Sequence, residues 1–350
     1  MKKKIFSILL IIVFIFISGC SGKTNTEKTN VKQNPNNTNN VETKTVKIES
    51  FYPFLSNVKY SFQGEGNEYA SYTQYVDYMQ GNKIQLRTNN GGTETVNILE
   101  IKNGQLTLVY SVNECYYREN FINKAANKNE VLLKEPLKKG TAWTLSDGAK
   151  RTITNMEAEI AAVSLTYKCI EVTTEYKDST RKDYYAENIG LVKTVSESKD
   201  YKVSSTLMKM DKNVQFTQTV KFYYPNINDD KIHMIEQVIK FNTNDITRKK
   251  FENYFKKSPN SLLGKLISAD TSLNSLYLNK DGRVYADFSK QLVSEMNAGS
   301  VFEAMILQSI TNTLGNYYNV KQVYITVEEN PYSSGHINMK KGEAFTVKSE

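Results

Sequence analysis

From residue 58 to residue 112 the chain repeats one pattern: a short stretch of alternating apolar and polar residues, then a turn. The stretches are 58–64, 71–80, 83–88, 93–102 and 105–112. Breaks fall at Gln80-Gly81-Asn82, Asn89-Asn90-Gly91-Gly92 and Lys102-Asn103-Gly104, where Gly and Asn supply the positive φ that tight hairpins require. A period of two fits half-buried strands and no helix. Further strands are expected at 150–155, 164–175, 181–186 and 190–196, with one brief helix near 119–128. Many strands with short turns favour an antiparallel meander that curls into a barrel or half-barrel. The 23 Tyr and 15 Phe, against Trp143 alone, suit strands with one wet face.

The pattern changes toward the C-terminus. Residues 219–225 and 232–241 read as strands, and 245–257 places Phe251, Tyr254 and Phe255 on one helix face. A hairpin of 273–278 and 283–288 turns at Asn279-Lys280-Asp281-Gly282. Gly299 and Ser300 open a helix whose buried stripe is Phe302, Met305, Ile306, Ile310, Thr313 and Leu314, with Gly315 weakening its end. Strand 322–328 closes the unit. The order β(β)-α-β-β-α-β makes a small α/β sandwich with helices on one sheet face. The expected fold class is therefore α+β: an N-terminal antiparallel all-β meander, curled or half-barrelled, over 46–212, followed by the sandwich over 218–345.

Ahead of both, Lys2, Lys3 and Lys4 precede a nearly pure apolar run from Ile5 to Ile17. Thirteen residues at about 1.5 Å each reach roughly 20 Å, short of a membrane core about 30 Å thick. The run reads as a signal peptide over 1–19. It ends in Ile17-Ser18-Gly19-Cys20, which resembles the lipobox of bacterial lipoproteins. That resemblance implies cleavage before Cys20 and a diacylglyceryl group on its thiol, with palmitate-like chains. The first partner is then the membrane, and the protein sits on the outer face of the cell membrane; two acyl chains hold where one would be marginal. An ordinary secretory signal is the alternative. Residues 20–45, rich in Asn, Thr and Lys, bury too little to order and are expected to act as a tether.

Three segments carry a second resemblance: Thr219 to Asn226 (TVKFYYPN), Leu276 to Lys290 (LYLNKDGRVYADFSK), and GSVFEAMILQSITNTL from Gly299, followed by VKQVYITV. They resemble the GerMN domain, the sporulation and spore-germination module of endospore-forming bacteria, over about a third of the chain. The resemblance implies an envelope lipoprotein without known catalytic residues, in a fold similar to domains that build rings between mother cell and forespore. The protein that names the domain carries two copies. This chain has one, behind an unrelated β domain.

Chemistry-bearing motifs are sparse. Ser56 to Lys59 and Ser196 to Lys199 both read S-x-x-K, yet both fall at strand starts or turns, where Ser and Lys point to opposite faces, and no K-T-G accompanies them. Neither His233 nor His336 has a relay partner visible in sequence, and no His/Cys cluster has zinc spacing. Asn226 to Asp230 reads as a turn and lacks the closing Glu of a Ca²⁺ loop. Cys115 and Cys169 can pair outside the cytoplasm, which sequence leaves open. Losing three signal lysines lowers the formal charge of +8 by three, too little to argue for nucleic acid. Two binding features remain. Tyr69, Tyr72, Tyr75 and Tyr78 recur every third residue, so alternate rings should take opposite faces of a strand. Arg248, Lys249, Lys250, Lys256 and Lys257 crowd the first helix of the α/β unit, a candidate face for anionic polymer, headgroups or an acidic partner.

No catalytic residue, metal or cofactor is expected. The reading is a non-catalytic, lipid-anchored envelope protein that works by contact with sporulation or envelope proteins, or by self-association. A lipid or hydrophobic-ligand carrier, through a cavity in the β domain, is the first alternative. A cell-wall hydrolase, needing a carboxylate pair in a cleft, is the second.

Overall fold

A computed structural model of the protein describes residues 46–226 and 228–348, so the signal, Cys20 and tether expectations lie outside the described residues. Twelve strands form one sheet: β1 (Val58–Glu65), β2 (Tyr72–Gln80), β3 (Lys83–Asn89), β4 (Glu94–Lys102), β5 (Gln105–Asn113), β6 (Glu130–Lys134), β7 (Ala142–Thr144), β8 (Lys150–Ala162), β9 (Leu165–Glu175), β10 (Ser179–Ala186), β11 (Gly190–Ser198) and β12 (Lys202–Lys212). Their order is β6-β5-β4-β3-β2-β1-β12-β11-β10-β9-β8-β7. Two antiparallel meanders thus meet where the first strand pairs with the last, Val58 opposite Lys212. All nine strands read from the sequence in this part are present, as a curled meander.

The two outer strands close on each other through side chains rather than a backbone ladder. Trp143 Nε1, from β7, donates to Val131 O of β6 at 2.9 Å. Arg151 Nε, from β8, donates to Leu132 O at 3.1 Å. This seam blunts both sheet edges. A single apolar core fills the curl, with Val76, Leu86, Leu106, Ile153, Ile170, Val172 and Leu207 nearly or wholly buried. The short helix α1 (Ile48–Phe51) plugs it: Ile48 is wholly buried, and its N–H donates to Glu135 Oε1 at 3.0 Å.

The helix expected near 119–128 is absent; the segment is turns and extended chain. Its donors are already committed elsewhere. Phe121 N–H donates to Gln85 Oε1 and Ile122 N–H to Asn120 Oδ1, while Asn127 and Lys128 both donate to Val109 O. Buried Phe121 and Ile122 fix the loop against the sheet instead.

The α/β part begins with the hairpin β13 (Phe216–Pro225) and β14 (Ile232–Phe241), then α2 (Thr247–Phe255). A second sheet holds β15 (Leu273–Leu278), β16 (Val284–Phe288), β17 (Gln322–Val327) and β18 (Asn330–Pro331) in that order, with β19 (Phe345–Thr346) also on β17. The turn α3 (Gln291–Ser294) and the long α4 (Ser300–Tyr318) lie between β16 and β17, which pair in parallel. Phe251 and Phe255 of α2 are wholly buried, and Tyr254 stacks on Phe222 at 4.8 Å, as the spacing requires. The apolar stripe of α4 is wider than expected, since Leu307, Ser309, Thr311 and Asn312 are buried too. Thr313 Oγ1 accepts the Tyr223 N–H at 3.0 Å, tying α4 to β13.

Gly315 does not end α4, which runs on to Tyr318 and stops at left-handed Asn319, φ 54°. The glycine makes room for the C-terminal segment: a Cβ there would lie 2.1 Å from Val347 Cγ2. Ala in a helix interior ordinarily gains about 0.5–1 kcal/mol over Gly. Gly315→Ala is expected to lose that gain by displacing Val347, whose N–H donates to Lys321 O at 2.9 Å. Amide exchange at Val347 should then rise to unprotected rates. Among the described residues no helix is long and apolar enough to cross a membrane.

Candidate functional site

The site begins with one irregularity in β2. Between Val76 and Tyr78 the register with β3 slips, so Asp77 is an extra residue. Tyr75 lies opposite Arg87 and Tyr78 opposite Gln85, which puts both tyrosines on the face that Arg87 and Gln85 share. The strict alternation expected of the four tyrosines therefore fails at the bulge. Tyr72 faces into the curl and stacks on Phe62 at 4.4 Å, while Tyr69 is exposed. Tyr75 leaves the curl, packing on Phe216 at 5.5 Å and donating its hydroxyl to Val214 O.

This outer face of the sheet is where the α/β part docks, and Arg118 joins them. Arg118 comes from the β5–β6 loop and is 0% exposed. Its Nη2 donates to Asp77 O at 2.7 Å and Asn242 O at 3.2 Å. Its Nη1 donates to Tyr78 Oη at 2.7 Å, Thr247 Oγ1 at 3.2 Å and Asp245 O. The guanidinium lies between the rings of Tyr78 and Phe241, 4.1 and 4.7 Å from their centroids. The backbone N–H of Arg118 donates to Tyr317 Oη at 2.8 Å. Beneath it Asp77 accepts from Arg87 Nε at 3.0 Å and lies 3.5 Å from Arg118 Nε. One carboxylate thus sits between two buried guanidiniums, with backbone carbonyls from both parts taking the remaining donors.

Beside this junction opens a cleft of about 530 Å³, within the usual range of small-molecule sites. One wall is the end of β2, Tyr78 to Gln80; the other is four consecutive residues of β15, Asn274 to Tyr277. Ser275, Leu276 and Tyr277 alternate faces, and Asn274 is the extra residue of a bulge, so the cleft runs along the edge of β15, the outermost strand of its sheet. Among the described residues, Glu119 is the sole acid lining it. Burial pushes the Glu119 carboxyl above its ordinary range, against the opposing pull of the Leu278 N–H and Lys124.

The basic residues of α2 are largely committed within the chain. Lys249 and Lys256 both pair with Glu252, at 2.8 and 2.9 Å, and Lys250 pairs with Asp245 at 2.7 Å. Arg248 donates to Leu273 O at 2.8 Å and lines the cleft, while Lys257 is exposed. The structure therefore brings one of the five, Arg248, into the cleft. The i, i+3 and i, i+4 spacing of Lys249, Glu252 and Lys256 signals those two pairs, whereas that of Lys250 with Asp245 follows from the fold.

Cys115 and Cys169 are free thiols in separate clusters. Burial pushes them up to about 11 and about 12, so both stay protonated at neutral pH. Both histidines have acidic partners that sequence reading missed. His233 lies 3.0 Å from Asp229 in the turn after β13. His336 Nδ1 lies 2.7 Å from Glu303 Oε2 on α4, thirty-three residues away. Glu303 Oε1 also accepts from Ser334 Oγ at 2.5 Å and Tyr332 Oη at 2.8 Å. The Ser334 hydroxyl therefore serves the carboxylate, and the set pins the C-terminal loop to α4. Burial raises Glu303, but Ser334, His336 and Tyr332 outweigh it and hold the carboxyl below its usual range. Its contribution to stability is present above an unfolded pKa of about 4.3 and is lost as pH falls through the lower folded value. Glu303→Ala is expected to expose residues 330–346 to protease at neutral pH, with cleavage more than tenfold faster in limited proteolysis, a difference of about 1.4 kcal/mol in loop opening.

One pocket within the curl, lined by Tyr52, Tyr60, Phe62, Ile84 and Leu86, is about 20 Å³. That admits about one water. It falls far short of the several hundred Å³ a carried ligand needs. Among the described residues no group of His, Cys, Asp and Glu is placed to hold a metal ion.

With this geometry in place, comparison with known proteins bears on part of the chain. Residues 221–333 match the family model Germane, described as sporulation and spore germination. This segment is a GerMN-like domain. The first GerMN domain of the sporulation protein GerM from Bacillus subtilis is similar at 21% identity, over 33% of this chain and 86% of that one, with a TM-score of 0.26. The tandem GerMN domains of the same protein give 22% identity over 38% and 46%, with a TM-score of 0.30. A chain from Clostridium perfringens described as a lipoprotein gives 18% over 38% and 87%, with a TM-score of 0.25. No curated protein matches the sequence.

Proposed function

We propose that this is a non-catalytic envelope protein of sporulation or spore germination, anchored through Cys20 to the outer face of the cell membrane, whose GerMN-like domain acts by contact. The observation that carries the reading is the Germane match over residues 221–333. The lipobox-like Ser18-Gly19-Cys20 behind an apolar run supports the anchor. Three features argue against chemistry: a cleft with one carboxylate, two buried and protonated thiols, and a Ser334 hydroxyl committed to Glu303. The filled curl serves as a rigid base on which Arg118 locks the GerMN-like domain.

The test is deletion of the gene in its own host, with complementation by wild type and by Cys20→Ala. Heat-resistant spore yield and germination of purified spores are scored separately. The reading expects a defect in at least one, restored by wild type alone, with the Cys20→Ala product leaving the membrane fraction. Normal spores and normal germination after deletion would refute it.

A further inference from the structure

The junction cleft carries a chemistry that contact between protein surfaces does not require. Three of the four side-chain amides on its walls are each fixed at one end and open at the other. Asn120 Oδ1 accepts the Ile122 N–H at 3.0 Å and Asn244 Oδ1 accepts the Met79 N–H at 2.8 Å, so in both the Nδ2 donor is without a partner among the described residues. Asn274 is the reverse: its Nδ2 donates to Asp287 Oδ2 at 3.0 Å, leaving Oδ1 as an acceptor. Glu119 takes the Leu278 N–H on Oε2 at 3.3 Å, while Oε1 has only Lys124, at 3.8 Å. Donors and acceptors are thus interspersed and already oriented, which lowers the ordering cost of binding.

At the mouth stands Tyr277, 39% exposed. It stacks on Tyr285 at 5.6 Å, and Tyr285 packs edge-on against Tyr324 at 5.0 Å. The three rings are in register across β15, β16 and β17, so the outermost one is held rigid by its neighbours.

We propose that the cleft binds a neutral saccharide chain. The C–H face of a pyranose lies on Tyr277. Its neighbouring hydroxyls, each both donor and acceptor, bridge the amide donors of Asn120 and Asn244 and the acceptors of Asn274 and Glu119. An apolar ligand would leave these oriented groups dehydrated and unpaired. The cleft sets one carboxylate, Glu119, against the Arg248 guanidinium, itself held by Leu273 O, while Arg118 is consumed by its own bonds, so the lining does not select an anion. A peptide added to the edge of β15 would find that edge partly taken: Arg248 holds Leu273 O, Glu252 holds Leu273 N and Glu119 holds Leu278 N.

The inference goes beyond the spore-related reading and is tested without it, by binding in vitro to the mature chain. Isothermal titration uses tetrasaccharides of β-1,4-linked N-acetylglucosamine and of glucose, with an uncharged extended decapeptide as the competing occupant. Saturable binding of a tetrasaccharide is expected. Tyr277→Ala should weaken it about tenfold, the scale of one lost aromatic contact, whereas Tyr277→Phe should retain it. Tyr277→Phe should unfold at the wild-type midpoint and Tyr277→Ala slightly below it, because the alanine also loses the stack on Tyr285. Failure of both sugars to bind, equal binding by Tyr277→Ala, or binding of the decapeptide alone would overturn the proposal.

Discussion

Arg118→Met is expected to cost at least about 3 kcal/mol and to split a single unfolding transition into two. Removing one partner of a buried charge network typically costs about 3–5 kcal/mol, because the groups left behind stay buried and uncompensated. Here the carbonyls of Asp77, Asn242 and Asp245 and the hydroxyls of Tyr78 and Thr247 would all lose their donor. Asp77 would keep Arg87 at 3.0 Å, which places the cost toward the lower end. Arg118 contributes bonds to both the β curl and the segment leading into α2, so its loss acts on their coupling more than on either core. Arg118→Lys restores the charge but not the planar fork, and should recover only part of the loss. Urea denaturation followed by Trp143 fluorescence, which reports the curl, and by far-ultraviolet ellipticity, which includes α4, should coincide for wild type and separate for Arg118→Met.

The second large effect lies inside the curl, at Asp183. This carboxylate is wholly buried and accepts from Arg151 at 2.6 Å, Arg181 at 3.0 Å and Thr194 at 2.8 Å. Arg151 in turn closes the seam through Leu132 O. Asp183→Ala leaves Arg151 buried without its counter-charge and is expected to cost about 3–5 kcal/mol. The same group gives a pH signature. Burial pushes Asp183 up, but Arg181, Arg151 and the Thr194 hydroxyl outweigh it and hold its folded pKa below the ordinary value. A depressed carboxylate stabilises fully above its unfolded pKa of about 3.9, and that stabilisation is lost as pH falls through the folded value. Asp183→Asn should therefore flatten the stability curve below about pH 4 while lowering the plateau at neutral pH. A slope below pH 4 identical to wild type would contradict this assignment.

The strands were legible because one wet face and one dry face write a period of two into the sequence, as in residues 83–88 and 105–112. Strands β6 and β7, of five and three residues, are too short to show a period. Strand β12 was missed because it buries only Ser204 and Leu207 among polar neighbours, although it closes the sheet centre against β1. The GerMN-like hairpin was readable from Asp281-Gly282 and the residues around it. The site was less so. Asp77, a charge between Val76 and Tyr78 in an otherwise apolar run, signals a buried partner more directly than the tyrosine spacing does. Arg118 left no local mark, since its partners lie at residues 77, 78, 242, 245 and 247 and only the fold brings them together. The cleft depends on side-chain anchoring of Asn244 and Asn274 to residues far along the chain, which no spacing rule encodes, whereas Asn120 is held by a local Asx turn to Ile122.

All of this rests on the curl and the GerMN-like domain forming one body. Differential scanning calorimetry of residues 46–350 tests it most directly. The account predicts one endotherm whose calorimetric and van't Hoff enthalpies agree. Two resolved endotherms in the wild-type protein, or a calorimetric enthalpy near twice the van't Hoff value, would contradict it.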